Sequence, residues 1–294
     1  MLWILLSISA AFIWATLNIF DKYVLTKWII RPIIIMMILG VVGLIASVIV
    51  YFVYGFSELS NFNVLLALIS GIFYILAILF YFKAVSIEEI SRISPLACLT
   101  PLFVALFAFI FLGEFFVQVK YFGIFLMVIG IVLISLKDSF RIKFGKAFCL
   151  MILSNIFFAV YYILIKHLFN FADFWTIFSW TRIGMFIALI PACVINFSDL
   201  LLLAKKRGKK AIFIISLIQI LSLIGVLFIT IAVSISSVTL VSALSSVYPL
   251  FVFLFVIISS IFYPKILKEE ISKLILLRKF IAIILILVGA FLIS

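Results

Sequence analysis

Long apolar runs, broken by short charged or turn-forming stretches, divide the chain into ten segments. They cover 2–25, 31–54, 62–82, 90–112, 118–137, 146–168, 174–197, 210–233, 236–262 and 276–294. Each is close to the about 20 apolar residues that a helix needs to cross a bilayer. The pattern predicts an all-α polytopic membrane protein with ten transmembrane helices. The join from Ser234 to Ser237 carries no charge and requires a very tight turn between the eighth and ninth segments. The fourth segment differs from its neighbours. On a helical wheel, Ser91, Ser94, Pro95, Cys98, Pro101 and Ala105 fall on one side, while Leu99, Phe103, Leu106 and Phe107 lie elsewhere. A stripe of small and polar residues in so greasy a helix faces a neighbour or a cavity, not lipid.

The same pattern returns in the second half. Ala84-Val85-Ser86 matches Ala232-Val233-Ser234 at an offset of 148, and Pro101-Leu102-Phe103-Val104 matches Pro249-Leu250-Phe251-Val252 at the same offset. Ser91, Ser94, Pro95, Cys98 and Pro101 become Thr239, Ser242, Ala243, Ser246 and Pro249, so every position stays small or polar. Lys22 ends the first segment as Lys166 ends the sixth. The run from Lys120 resembles the run from Lys279 after an 11-residue insertion in the basic stretch from Lys265 to Arg278. Residues 1–140 and 145–294 are thus expected to form two five-helix repeats. Five is odd, so copies joined head to tail cross the membrane in opposite senses. That is the inverted-topology repeat on which many secondary transporters are built, with a central pathway between the halves.

Composition narrows the class. Of 294 residues, 69% are hydrophobic and 11% charged, which excludes an ordinary soluble globule. The net charge of +12 is spread over short runs between apolar segments, so it reads as a topology signal and not as a nucleic-acid surface. The loops after the odd-numbered segments hold 19 of the 22 lysines and arginines. By the positive-inside rule those loops are cytoplasmic, and both termini lie outside the cell membrane. The apolar N-terminus lacks a basic leader region and is expected to be the first membrane helix. Cys98, Cys149 and Cys193 have no metal-type spacing, and His167 is the only histidine. No metal or cofactor is expected. Without a nucleotide-binding glycine loop, ATP drive would need another subunit.

Ala84, Ser94-Pro95, Thr100-Pro101-Leu102, Leu112-Gly113-Glu114 and the run from Gly123 to Gly130 resemble the EamA-like members of the drug/metabolite transporter superfamily. The likeness covers nearly the whole chain, more weakly in the second half. It implies a ten-helix inverted-repeat carrier made of two EamA-like repeats, moving small metabolites such as amino acids, often outward and without ATP. Relatives carry nucleotide sugars, so the fold does not specify the cargo. Three features depart from the family pattern. The family's arginine is kept as Arg182 in the seventh helix, but its counterpart near Gly40 is missing. The Leu-Gly-Glu end has no clean second-half partner, since Glu269 and Glu270 lie in the enlarged loop. Family members usually keep both termini inside, against the charge count followed here.

The substrate pathway is assigned to Ser91, Ser94, Cys98, Thr239, Ser242 and Ser246, with Arg182, Trp14, Asn18 and Tyr162. Close packing is the competing reading of the small residues, since hydroxyls can also bond to the preceding turn. Pro95, Pro101 and Pro249 free backbone carbonyls inside the membrane, which suits a gate or a static bend. Arg182 sits well inside its segment, where an unpaired charge costs several kcal/mol. It holds an anionic group of the substrate or an internal partner such as Asp173, Tyr162 or backbone carbonyls. Lys22 and Lys166 end equivalent helices and read as side chains snorkelling to the interface. Asn155 and Gln219 read as helix–helix hydrogen bonds. Gly40 with Gly43, and Gly123 with Gly130, read as packing contacts.

The leading function is a secondary carrier, probing one side of the membrane and then the other, with small molecule and lipid as its partners, as monomer or homodimer. A flippase for a lipid-linked or nucleotide-sugar-like anionic substrate is the alternative. An enzyme is disfavoured, because Glu88, Glu89 and Arg92 form the only compact polar cluster. A passive assembly partner is the third class.

Overall fold

The structure, a computed structural model, describes residues 2–28, 31–112, 118–135, 145–262 and 273–293. Among these no strand occurs, and helices dominate: α1 Leu2–Lys27, α2 Ile33–Tyr54, α3 Asn61–Ile87, α4 Ile90–Leu96, α5 Thr100–Leu112, α6 Gln118–Ser135, α7 Lys146–Leu168, α8 Phe174–Arg207, α9 Lys209–Ile235, α10 Val238–Ser245, α11 Tyr248–Phe262 and α12 Lys273–Ile293. Eight stretches among the described residues are long and apolar enough to cross a membrane. Glu114, Glu269 and Glu270 lie outside the described residues, as does the side chain of Ser91.

Helix ends follow local chemistry. Ser60 and Ser237 accept from the backbone N–H of Asn63 and Leu240 as N-caps. Gly55 and Gly208, at φ +71° and +78°, stop α2 and α8 in the left-handed region that favours glycine. The uncharged join is as tight as its length demands, with only Ser236 and Ser237 between α9 and α10. Two helices run further than hydropathy indicates. α3 continues to Ile87, and α8 continues to Arg207 through a kink at Asn196, whose side-chain amide donates to the Ala192 carbonyl at 2.9 Å. Across that kink Arg31 pairs with Asp199 at 2.9 Å.

The fourth and ninth segments are each broken, which corrects the continuous wheel expected for them. A 3-10 turn, Ala97–Leu99, separates α4 from α5, and Ser246 and Val247 separate α10 from α11. The cause is the same in both. Pro101 and Pro249 have no N–H to return to Ala97 or Ser245, so the preceding turn tightens to i→i+3 bonds: Thr100 N–H donates to the Ala97 carbonyl, and Val247 N–H to Leu244 at 3.2 Å.

The principal packing partners are α6 with α12, α3 with α7, α1 with α9, α2 with α8, and α3 with α8. Glycines set several of these approaches. Gly40 and Gly43 on α2 meet Leu189 and Met185 of α8, and Gly130 meets Ile286 and the Ala282 carbonyl of α12. At one end of the α2–α8 pair, Asp173 caps α8 by accepting from Trp175 and Thr176 N–H and also accepts from Ser57 Oγ at 2.6 Å. Burial alone would raise its pKa, but the hydrogen bonds from Ser57, Thr176 and Trp175 outweigh that and hold it below the usual carboxylate value. A depressed carboxylate stabilises above its unfolded pKa and loses that contribution as pH falls through the folded value. Protection factors for amide exchange at residues 55–60 are therefore expected to fall below about pH 4, and Asp173→Asn to remove that acid response.

Candidate functional site

A cavity of about 170 Å³ lies where α1, α3, α7 and α9 meet the two broken elements. That is near the roughly 150 Å³ of an apolar hole that accepts benzene. Much of its wall is built from residues that correspond at the two sequence offsets. At 148, Ala97, Cys98 and Thr100 correspond to Ser245, Ser246 and Tyr248, and Tyr74, Ile78 and Tyr81 correspond to Ser222, Val226 and Ile229. At 144, the distance from Lys22 to Lys166, Trp14, Leu17 and Asn18 correspond to Phe158, Tyr161 and Tyr162. All of these line the cavity. Leu39, Phe82, Pro101, Ser242, Asp21 and Gln219 complete the wall without a matching wall residue.

The broken helices are held open by polar groups from their neighbours. Tightening at Ala97–Leu99 leaves the Leu96 carbonyl without its helical donor, and Asn155 on α7 supplies one from Nδ2 at 2.9 Å. Thr100 Oγ1 in turn donates to Asn155 Oδ1 at 2.6 Å. In the other break Leu250 N–H bonds to Val247, so the Ser246 carbonyl is freed; the Cys98 thiol donates to it at 3.4 Å. Cys98 and Ser246 are counterparts at offset 148, so the two breaks meet at corresponding residues. Asn155 thus makes a helix–helix hydrogen bond whose purpose is to satisfy a break.

The expected pathway residues divide into those that line the cavity and those that do not. Trp14, Asn18, Cys98, Tyr162, Ser242, Ser246 and Pro101 line it. Ser94 and Thr239 are buried at 1% and 2% exposure but do not reach it, and neither do Pro95 and Pro249. Arg182 is fully buried behind the wall. Its Nη2 donates to Tyr161 Oη at 3.3 Å, and its guanidinium sits 4.3 Å from the centre of the Tyr74 ring. Its partners are therefore wall aromatics, where the sequence pointed to Asp173 or Tyr162. Asp173 is engaged in the α8 cap.

Lys22 and Lys166 hold the turns beside the breaks. Lys22 Nζ donates to the Val85 and Glu88 carbonyls at 2.6 and 2.8 Å, and Lys166 Nζ to Val233 and Ser236 at 3.0 and 2.8 Å. These are the carbonyls that α3 and α9 leave without helical donors at their C-termini. Bonds to backbone replace the expected snorkelling. Lys22→Met and Lys166→Met are each expected to destabilise the fold by about 1–3 kcal/mol, read by thermal unfolding in detergent. The cluster of Glu89 and Arg92 is structural in form: Glu89 pairs with Arg92 and with the buried Lys279 of α12, both at 3.2 Å.

Several wall residues escape a reading based on hydropathy. Tyr81 Oη donates to Asn18 Oδ1 and lies 3.3 Å from Tyr248 Oη. Asp21 follows Asn18 by three residues and shares its helix face; that spacing is the sequence signal for it. For Tyr248 the sequence signal is its place beside Pro249, at the counterpart of Thr100.

Residues 1–136 match the model of the EamA-like transporter family. No curated protein matches the chain in sequence. A crystal structure of another protein superposes with a TM-score of 0.66 at 16% identity, covering 99% of this chain and 95% of that one. This chain shares that fold over essentially its full length.

Proposed function

We propose, from the premise that residues 1–136 belong to the EamA-like transporter family, that this multi-pass membrane protein is a secondary carrier for small metabolites, amino acids among them. It works outward, by alternating access between two five-helix inverted repeats. The observation that carries the reading is the cavity wall, assembled from counterpart residues of both halves around paired helix breaks. Discontinuous helices at a midplane site are the usual architecture of such carriers.

The packing supports the repeat. Exchanging counterpart helices converts the α3–α7 contact into α1–α9 and the α1–α11 contact into α5–α7, and all four occur. It maps α6–α12 and α2–α8 onto themselves. The lysine clamps add a third correspondence, one on each pair of α3 and α9 ends. With ten crossings the two clamps fall on opposite faces, as inversion requires. The charge distribution favours both termini outside, and the cavity wall comes from one chain, which suits a monomer.

A flippase for an anionic head group fits the wall less well. Arg182, behind the wall, is turned into the Tyr74 and Tyr161 rings, and the charged wall residue is a carboxylate, Asp21. The test is metabolite profiling of cells with and without the protein, followed by uptake of the changed metabolites into liposomes containing the chain alone. Accumulation inside producing cells on deletion, and flux in liposomes, are the expected results. Liposomes that show no flux for any changed metabolite would remove the carrier reading.

A further inference from the structure

We propose that Asp21 is the docking point for a primary ammonium group on the cargo, an inference that rests on the carrier reading above. The cavity wall is largely symmetric in its residue positions, and Asp21 and Gln219, two polar wall residues without a matching wall residue, lie together. Asp21 on α1 corresponds at offset 144 to Ile165, and Gln219 on α9 corresponds at offset 148 to Gly71. Both line the cavity, and Gln219 approaches the Asp21 carboxylate. One corner of a largely repeated chamber therefore carries a carboxylate and an amide that their counterpart positions lack.

No cation within the described residues pairs with this carboxylate. Lys22 is the next residue, but its ammonium bonds to the Val85 and Glu88 carbonyls. Arg182 is held by Tyr161 and Tyr74. A carboxylate facing an aromatic chamber in the membrane needs a counter-charge, hydration or a bound proton. A cargo ammonium supplies that charge, and its three N–H donors suit the acceptors around the corner: the Asp21 carboxylate, Asn18 Oδ1 and the paired hydroxyls of Tyr81 and Tyr248. Aromatic faces nearby favour a cation further.

Gln219, beside the Asp21 carboxylate, belongs to the same corner. It is 2% exposed, and its Nε2 has no well-aligned acceptor in the protein. Buried donors are rarely left unmade, because an unsatisfied one costs about 1–3 kcal/mol. A donor waiting beside a carboxylate suits a ligand with an oxygen next to its ammonium. The site thus selects cationic or zwitterionic cargo and fixes which end enters the corner.

The test is calorimetric titration of the full chain in detergent at neutral pH with three molecules of one size: benzylamine, benzyl alcohol and benzoate. Benzylamine is expected to bind at least about tenfold more tightly than the alcohol, with benzoate weakest. Asp21→Asn should erase the preference by weakening benzylamine about tenfold without moving the alcohol, and Asp21→Glu should restore it. Should the Asn variant fail to fold, the ranking in the unaltered protein decides by itself. Equal affinities for amine and alcohol, no binding of the amine, or an unchanged preference in Asp21→Asn would each overturn the proposal. None of these readouts uses flux. Amine preference without liposome flux would count against the carrier and for the site, and flux without amine preference would do the reverse.

Discussion

Ser242→Phe is expected to abolish flux while leaving a folded protein in the membrane. Ser242 lies on the cavity wall at 7% exposure, and its hydroxyl donates to the Thr239 carbonyl one turn back at 2.9 Å. That bond is local to α10, so its loss removes no contact between helices. The new ring enters a space of about 170 Å³ and fills much of it. Ser94→Phe is the informative contrast. Ser94 is the counterpart of Ser242, yet it is 1% exposed and does not reach the cavity. A ring there has only packed neighbours to displace, and overpacking typically costs about 1–3 kcal/mol. Flux per folded molecule in liposomes, with unfolding temperature in parallel, separates the two. Ser242→Phe should lose flux at nearly constant stability, and Ser94→Phe should lose stability.

Gly184→Ala is expected to be among the most damaging single methyl additions at the described glycines. A Cβ at Gly184 would lie 2.2 Å from the Leu68 carbonyl oxygen and 2.6 Å from Leu68 Cα. One at Gly71, on the other side of the same α3–α8 contact, would lie 2.1 Å from the Thr181 oxygen and 2.6 Å from Met185 N. These atoms are backbone, so no rotamer change relieves the clash and the helices must separate. Membrane helices rely on close approach at small residues because lipid gives no hydrophobic drive between them. The expected loss is at the upper end of overpacking, about 3 kcal/mol or more. Gly43→Ala is the control. Its Cβ would meet the Met185 Cε at 2.6 Å, the tip of a flexible side chain that can turn away, so a much smaller loss is expected in the same unfolding measurement.

The architecture was legible in the sequence where it depended on hydropathy and spacing. Apolar runs gave the helices, and the offset of 148 brought out Cys98 and Ser246 as counterparts before their contact was known. The prolines marked the breaks, but the wheel treated the fourth segment as one straight helix. That is why Ser94 was grouped with Cys98, although the turn at Ala97–Leu99 stands between α4 and the residues that follow. Asp21 lies four residues before the apolar run stops at Leu25, so hydropathy alone places it near a helix end. The helix continues to Lys27, and Lys22 tucks into the turn after α3, which leaves Asp21 on the cavity wall. Arg182 was recognised as an interior charge, but its partners Tyr74 and Tyr161 come from two other helices, and no local pattern connects them. Gly71 and Gly184 are likewise far apart in sequence, without the short spacing that marks a packing motif.

The central claim is that the chamber between the two helix breaks is the transport path and opens to one face at a time. Cys98 reports on it directly, since it lines the chamber at 2% exposure with a free thiol. The decisive measurement uses a protein with Cys149→Ser and Cys193→Ser, in sealed vesicles of both orientations, labelled with a charged, membrane-impermeant methanethiosulfonate. The account predicts that Cys98 reacts from one face at rest, that an imposed cargo gradient shifts reaction to the other face, and that labelling stops flux. Reaction from both faces at once, or full flux with Cys98 unreactive from either, would contradict it.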